Sequence, residues 1–396
     1  MARFASRVAL ATVAVALLSA VPGAVAATAT HVQAWGDNAD GELGNGTVTR
    51  YGGLATPVQV SNLAGATSVA GGSDFSLALK PDGTVWAWGN SGWGQLGQGT
   101  YGSSTTPVQV PGLSGVTQVA AGDLTGLALK SDGTVRAWGF NYYGQVGNGT
   151  SGNNVLAPVQ VSGLTGVIAI ASGNGGNTSY ALKADGTVWA WGYDGLGQLG
   201  NGTSNETAHP RPVEVSNLTG AVAIGAGSEH ALAVLSDGTV RSWGSNQYGQ
   251  LGARTSTSCT AYHYPCSVLP VQVANLTGVS AVAGGANFSL ALKSDGTVWG
   301  WGQNDSGQLA NGTTTSFGGV TTPTKAHLQS VIAIAAGDQH TLALKSDGTV
   351  SAAGSNSWGQ LGTGTFTASS NPVRVVNLSG ALSIAAGLDH SLAVAP

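Results

Sequence analysis

The sequence predicts an all-β, seven-bladed β-propeller whose ring is closed by pairing of the N- and C-terminal strands. Three observations predict it: a repeat of about fifty residues, strand-length apolar runs within each copy, and complementary partial copies at the two ends. Trp-Gly pairs mark the repeat at positions 35, 88, 138, 191, 243 and 301, and Ala353-Gly354 is a degenerate seventh copy. Successive copies are 53, 50, 53, 52, 58 and 52 residues apart.

One copy, read from residue 115, contains four predicted strands. The first two lie at 115–122 and 127–130, and an Asp-Gly-Thr turn joins the second to a third strand at 135–139. Asp-Gly tolerates the positive φ angles of a tight hairpin, so it favours direct pairing of the second and third strands. A Gly-rich loop and a variable segment then lead to an edge strand at 158–161, where proline is tolerated.

The two ends of the repeat array complement each other. The chain has seven strands of the Trp-Gly type but six Asp-Gly-Thr turns. The array starts with a third strand at 31–36 and finishes with a second strand at 391–395, so pairing of these segments completes a seventh blade. Such pairing removes two open sheet edges, which an uncapped solenoid would expose.

Residues 1–26 are predicted to be a secretory signal peptide. Two arginines precede an apolar run at 8–21, and Ala24-Val25-Ala26 fits the small-x-small cleavage pattern. We therefore expect a secreted, extracellular protein with a single domain at 27–396. Outside the N-terminal segment no apolar run reaches the eighteen residues that a membrane-spanning helix needs, so no membrane span is expected in the mature chain.

The charge balance argues against nucleic acid as a partner. Once the two arginines of the signal peptide are removed, 12 basic side chains remain against 18 acidic ones. A nucleic-acid binder needs a basic patch, whereas nearly all the lysines of this chain recur at one repeat position around the ring.

The two cysteines, Cys259 and Cys266, lie in the longest insertion of any repeat. In an exported protein they are predicted to form a local disulfide that pins this loop. A metal site is disfavoured because only His263 lies between the two thiols, which leaves too few ligands.

Four recurring motifs resemble the regulator of chromosome condensation repeat. They are Gly-Gln-Leu-Gly after Trp-Gly, Pro-Val-x-Val, Ala-Gly-x-x-His-Ser-Leu-Ala and Asp-Gly-Thr-Val, and they cover residues 31–396. The resemblance implies a seven-bladed propeller. With its signal peptide the chain also looks, more loosely, like the propeller-type β-lactamase inhibitory proteins of soil actinobacteria, so we expect a bacterial, secreted member.

The eukaryotic founding member of the regulator of chromosome condensation family is a nuclear exchange factor for a small GTPase and has a basic tail. This chain has a predicted signal peptide and neither a basic tail nor a recognisable nucleotide-displacing wedge. The resemblance therefore carries the fold, and guanine-nucleotide exchange is kept as an alternative that rests on the family label.

No pattern in the sequence predicts catalysis, a metal or a cofactor. Gly92-x-Gly94-x-x-Gly97 spells a dinucleotide fingerprint, but no helix is predicted to follow it. The carboxylates outside the hairpin turns are scattered, which gives no support to a glycosidase. Calcium at Asp37, Asp40 and Glu42 is a weak alternative, because other repeats replace Asp40 and the spacing is not that of an EF-hand.

Variable loops carry the residues for which we predict a binding role. Directly before the Gly that begins Gly-Gln-Leu-Gly, the seven copies carry Asp40, Trp93, Tyr143, Leu196, Tyr248, Ser306 and Trp358, with Tyr142 and Tyr193 nearby. One repeat position on seven blades forms a ring on one face, and large aromatics in loops are common anchors of protein interfaces. We predict that this set, without Leu196 and Ser306, binds the partner. The alternative is that the aromatics cover blade edges locally.

These observations favour a monomeric, non-enzymatic binding propeller that holds an unidentified extracellular protein. Inhibition of a β-lactamase is one concrete form of this hypothesis. The main alternative is a propeller that binds cell-wall glycans, because aromatic faces stack on sugars.

Overall fold

The computed structural model describes residues 30–173, 175–255, 257–259, 263–316 and 318–396. The predicted signal peptide lies outside the described residues. Within the described ranges the regular secondary structure consists of 29 strands. A search of these ranges for a helix able to cross a membrane finds none.

The first fourteen strands are β1 (His31–Asn38), β2 (Thr49–Ala64), β3 (Ser68–Gly71), β4 (Phe75–Leu79), β5 (Val85–Gly89), β6 (Ser104–Gln109), β7 (Val116–Ala121), β8 (Thr125–Lys130), β9 (Val135–Gly139), β10 (Val155–Gln160), β11 (Val167–Ser172), β12 (Thr178–Lys183), β13 (Val188–Asp194) and β14 (Asn205–Glu214). The remaining strands are β15 (Ala221–Ala226), β16 (His230–Leu235), β17 (Val240–Ser245), β18 (Thr257–Ser258), β19 (Pro265–Gln272), β20 (Val279–Gly284), β21 (Phe288–Lys293), β22 (Val298–Gly302), β23 (Val320–Lys325), β24 (Val331–Ala336), β25 (His340–Lys345), β26 (Val350–Gly354), β27 (Ser369–Arg374), β28 (Ser383–Ala386) and β29 (His390–Ala395).

These strands form seven antiparallel sheets, one for each blade of a β-propeller. Blade 1 has the order β2-β1-β29-β28, and blades 2, 3, 4, 6 and 7 are β3–β6, β7–β10, β11–β14, β20–β23 and β24–β27. Blade 5 has the order β15-β16-β17-β19-β18 and so gains a fifth strand. The fold class predicted from the repeat is confirmed, and β7–β10 lie where the four strands of one copy were predicted.

Blade 1 combines the two ends of the described chain. Strand β1 pairs with β29 in an unbroken ladder from His31 opposite Ala395 to Gly36 opposite His390. The innermost strands of successive blades are also in contact around the ring, including β28 with β3 and β24 with β28. The ladder joins the two segments that the partial copies of the repeat indicated.

Six tryptophans join six of the seven blades each to the blade before it. Trp35, Trp88, Trp138, Trp191, Trp243 and Trp301 are fully buried. Each indole Nε1 donates a hydrogen bond of 2.7–2.9 Å to the backbone carbonyl of the Gln or Glu in the Gly-Gln-Leu-Gly loop of the preceding blade. Since a buried N–H requires a partner, the indole sets both the packing and the spacing of neighbouring blades.

Blade 7 lacks this tryptophan, so the carbonyl of the preceding blade keeps only the hydroxyl donor that blades 1, 2, 4 and 6 have in addition to the indole. Ala353 occupies the position and is buried. The hydroxyl of Thr341, on the neighbouring strand β25, donates to the Gln308 carbonyl at 2.7 Å. The degenerate copy therefore keeps the hydroxyl hydrogen bond across the blade boundary but loses the hydrogen bond and the apolar volume of the indole.

The propeller has two distinct faces. Because neighbouring strands run in opposite directions, the connection from first to second strand and the connection from third to fourth strand emerge together on one face, which we call the loop face. The Asp-Gly-Thr turns lie on the opposite face, which we call the turn face. Between them, the inner strands enclose an axial cavity of about 200 Å³ whose walls are mainly alanine, valine and isoleucine.

Candidate functional site

Two buried polar side chains shape each Gly-rich loop on the loop face. In blade 3, Asn141 Oδ1 accepts the Val146 N–H at 3.0 Å, and its amide donates to the Thr150 carbonyl at 3.0 Å. Gln145 Oε1 accepts the Tyr143 N–H at 3.0 Å. These bonds recur in other blades, so the residue before the Gly that begins Gly-Gln-Leu-Gly is held at one place on each blade.

Five aromatic rings form a continuous ridge across blades 2, 3 and 4. The ridge consists of Trp93, Phe140, Tyr142, Tyr143 and Tyr193, and successive ring centroids lie 5.1, 6.4, 5.1 and 4.8 Å apart. These separations lie in the range at which aromatic rings attract one another. Trp93 and Tyr142 nevertheless remain 45% and 60% exposed. The loop face therefore presents a pre-assembled apolar surface, which we call the aromatic ridge.

The ridge gathers four of the seven predicted binding residues: Trp93, Tyr142, Tyr143 and Tyr193. Tyr248 and Trp358 are half-buried on blades 5 and 7 and take part in none of the ring contacts found among the described residues. Asp40 is half-buried on blade 1. The aromatic surface is thus an arc over three blades rather than a full ring.

The insertion in blade 5 covers Leu196, the blade 4 residue at the repeat position that Trp93 and Tyr143 occupy on blades 2 and 3. Cys259 and Cys266 are bonded to each other, with their Cα atoms 5.8 Å apart. Both pack against Leu196, which is fully buried. The short strand β18 pairs with β19 beside this disulfide. The loop therefore encloses Leu196 instead of leaving it as part of the exposed surface.

Carboxylates that are scattered along the sequence converge on the loop face. Asp74 and Asp389 lie in the first-to-second-strand loops of blades 2 and 1, and both have a pKa raised to about 6. Burial is the larger cause, and repulsion from other acids, Asp37 among them, adds to it. Carboxylates that are far apart in the sequence therefore lie close enough in the fold to repel one another.

Backbone hydrogen bonds place two of these acidic loops against the ridge. The Asp74 carbonyl accepts the Asn90 N–H at 2.8 Å on blade 2, three residues before Trp93. On blade 3, the Leu124 carbonyl accepts the Phe140 N–H at 3.0 Å. Asp123 precedes Leu124, and its carboxylate accepts a hydrogen bond from the Ser73 hydroxyl. Acidic groups therefore line the inner side of the ridge.

The repeat histidines are structural. His230, His340 and His390 are fully buried, and each Nε2 hydrogen-bonds a serine hydroxyl of the next blade at 2.8–3.0 Å. Burial lowers their pKa to about 3 in His230 and His340 and to about 4 in His390. They are therefore neutral at physiological pH and hold blades together.

The weak calcium alternative gains no support from the geometry. Glu42 is buried, and its carboxylate accepts the Asp40 N–H at 2.9 Å. Among the described residues, no three His, Cys, Asp or Glu side chains are grouped so that they could hold a metal ion.

Sequence reasoning missed Phe140 and the acids beside it. Phe140 shares its repeat position with Tyr193, directly after Trp-Gly, so alignment of this second variable position would have indicated it. Glu229 shares its repeat position with Asp74 and Asp389, directly before the His or Phe that begins the second strand. The sequence does not show that Glu229 and Asp123 lie near the ridge, because that proximity depends on the packing of neighbouring blades.

Comparison with known proteins agrees with this fold. The RCC1-like domain model matches residues 174–396, and the regulator of chromosome condensation (RCC1) repeat model matches residues 31–79, 82–129 and 132–178. Two solved structures are similar over nearly the whole chain. Prp20p of Saccharomyces cerevisiae, described with its binding to Gsp1p and histones, has a TM-score of 0.79 at 24% identity, covering 93% of this chain and 92% of that one. Human WBSCR16 has a TM-score of 0.79 at 23% identity, with 93% and 99% covered.

Relatives by sequence are longer proteins. The E3 ubiquitin-protein ligase HERC2 of Homo sapiens is 34% identical over 245 residues, which is 60% of this chain and 5% of HERC2. The ultraviolet-B receptor UVR8 of Arabidopsis thaliana is 29% identical over 243 residues, which is 60% of this chain and 53% of UVR8. The match thus spans less than two thirds of either relative. The chain belongs to the regulator of chromosome condensation (RCC1) repeat family.

Proposed function

We propose that this protein is an extracellular, non-enzymatic propeller that binds a protein partner on its loop face. The aromatic ridge is the observation that carries the proposal. Large rings that stay exposed at the surface of a rigid scaffold are typical anchors of protein interfaces. Because the rings already contact one another, little side-chain freedom is lost on binding. The predicted signal peptide is the basis for placing the protein outside the cell.

The geometry of the ridge favours a protein over a glycan. Successive rings are inclined to each other by 74°, 11°, 85° and 59°. A glycan chain stacks on ring faces, and only Phe140 and Tyr142 lie nearly parallel. An uneven surface of ring edges and faces suits side chains of mixed shape. Prp20p, described with its binding to two kinds of protein, is a precedent for the fold.

The test is a variant in which Trp93, Tyr142 and Tyr143 are all replaced by alanine. We expect partner binding to fall by about 30-fold or more, since truncating even one anchor residue costs at least about 2 kcal/mol. The partner is first isolated by affinity capture from native medium and identified by mass spectrometry. The purified pair is then measured by titration calorimetry.

The matched control replaces the exposed aromatics Tyr51, Tyr101 and Phe366 with alanine. These aromatics lie outside the ridge contacts, so the control should bind within about 3-fold of the parent protein, a difference under about 1 kcal/mol. Equal affinity of the ridge variant and the parent would disprove the proposal. A large loss of thermal stability in the ridge variant would show instead that these rings belong to the hydrophobic core.

Titration of the parent protein against class A β-lactamases tests the hypothesis that the partner is a β-lactamase.

A further inference from the structure

A small pocket lies at the blade 4 end of the ridge, where three blades meet. It has a volume of about 140 Å³ and is lined by Tyr143, Gly175, Asn177, Tyr193, Gln198, Ser228 and Glu229. Drug-sized ligands occupy pockets of roughly 300–1,000 Å³. The space is therefore suited to the end of one side chain and not to a free cofactor.

Two tyrosine rings form adjacent walls of this pocket. The ring centroids of Tyr143 and Tyr193 are 4.8 Å apart and the ring planes are inclined by 59°. The Tyr193 ring lies over Gly195, where a Cβ would overlap its hydroxyl. Aromatic faces attract cations because the ring quadrupole places negative charge above the ring plane.

A carboxylate completes the lining from the next blade. Glu229 is half-buried, and burial raises its pKa. The ion pairs of the described residues are Lys130 with Asp132 and Lys183 with Asp185, both on the turn face. At the equivalent position of blade 1, the Asp389 carboxylate accepts the Gln360 amide at 2.8 Å, whereas no hydrogen bond to the Glu229 carboxylate is found among the described residues. The pocket thus combines aromatic walls with a carboxylate that has no cationic partner within the described chain.

We propose that this pocket, which we call the Tyr-Glu pocket, receives one arginine or lysine side chain of the protein partner. Stacking on an aromatic face and a charge-assisted hydrogen bond to a carboxylate together favour a guanidinium or ammonium group. The acids on the inner side of the ridge, Asp74 and Asp123, add negative potential that attracts a basic surface. This inference rests on the proposed function and defines the partner surface as basic.

The test uses a matched pair of small probes with the full chain at pH 8. Nα-acetyl-L-arginine amide carries the cation, and Nα-acetyl-L-citrulline amide is its neutral isostere. We expect the arginine probe to bind with a dissociation constant on the order of 1 mM, the combined strength of one desolvated cation–π contact and one charge-assisted hydrogen bond. The citrulline probe should bind at least about 10-fold more weakly. Both are followed by ligand-observed NMR titration.

Two variants locate the binding. Glu229→Gln should weaken binding of the arginine probe by about 10-fold, because it removes the charge and keeps the shape. Glu214→Gln, which removes an exposed carboxylate of blade 4, should leave binding unchanged. Gly195→Ala should also weaken binding by displacing the Tyr193 ring while both tyrosines and Glu229 remain.

The possible results separate this inference from the proposed function. Equal binding of arginine and citrulline probes, no saturable binding of either, or full arginine binding by Glu229→Gln would each overturn the pocket assignment. The proposed function would stand in those cases if the triple alanine variant of the ridge still lost the captured partner. Loss of arginine binding in Glu229→Gln together with unchanged partner capture by the ridge variant would retain the pocket and disprove ridge-based docking.

Discussion

Replacing Trp191 with alanine is expected to lower the free energy of unfolding by about 3–5 kcal/mol, the usual cost of removing a large buried aromatic side chain. The indole is fully buried between blades 3 and 4, and its Nε1 donates to the Gln145 carbonyl at 2.8 Å. The Ser179 hydroxyl also donates to that carbonyl, at 3.0 Å. The substitution therefore leaves no orphaned acceptor, and the loss comes from the cavity at the blade boundary.

Trp189 provides the matched control on the same strand. It is half-buried, its Nε1 donates to the Thr187 hydroxyl at 3.2 Å, and the Lys183 ammonium lies 5.5 Å from the ring centroid. Trp189→Ala should cost about 1 kcal/mol, as expected for an exposed cation–π pair. Urea unfolding followed by circular dichroism compares the two variants. Equal losses would contradict the assignment of the first tryptophan to the inter-blade core.

Replacing Glu42 with glutamine is expected to stabilise the protein at alkaline pH. Glu42 stands where the other blades carry glutamine, and burial raises its pKa from 4.5 to about 8. The folded state thus binds a proton that the unfolded state releases between these values. Stability of the parent protein therefore falls as pH rises from about 4.5 to about 8 and stays low above it.

The expected gain of Glu42→Gln at pH 9 is up to about 5 kcal/mol, because one pKa unit corresponds to about 1.4 kcal/mol. At pH 4.5 the difference from the parent should be small. Glutamine keeps an acceptor for the Asp40 N–H, which the carboxylate binds at 2.9 Å. Guanidinium unfolding at pH 4.5, 7 and 9 measures this dependence.

The reverse substitution in the next blade is the control. Gln95 is fully buried, and its Oε1 accepts the Trp93 N–H at 2.8 Å. Gln95→Glu should introduce a second loss of stability over the same pH interval. If Glu42→Gln and the parent lose stability in parallel from pH 4.5 to 9, another group is responsible for the alkaline loss.

The repeat made most of the fold predictable. Residues that recur at one position, such as the Trp-Gly tryptophans and the Asp-Gly-Thr turns, have the same local and inter-blade roles in each copy. Their structural meaning could therefore be inferred from the pattern. The partial copies at 31–36 and 391–395 indicated the β1–β29 ladder, because each lacked the partner that the other supplies.

The candidate site was only partly predictable. Sequence comparison of the copies identified Trp93, Tyr142, Tyr143 and Tyr193 as aromatic residues at variable loop positions. It could not separate them from Tyr248 and Trp358, because all occupy equivalent or neighbouring positions in the repeat. The difference lies in the neighbours, since Phe140 bridges two blades and links the rings of the ridge.

The sequence by itself determined the repeat, the strand order within a blade and the residues that pack between blades, because these depend on local pattern and period. Only the tertiary structure decided that the disulfide loop covers Leu196 and that Glu229 lines one pocket with two tyrosines from other blades. Residues far apart in the chain meet there because neighbouring blades bring their loops together on one face. The physical reason is that exposure and electrostatic environment depend on contacts across blade boundaries, which a repeat pattern does not encode.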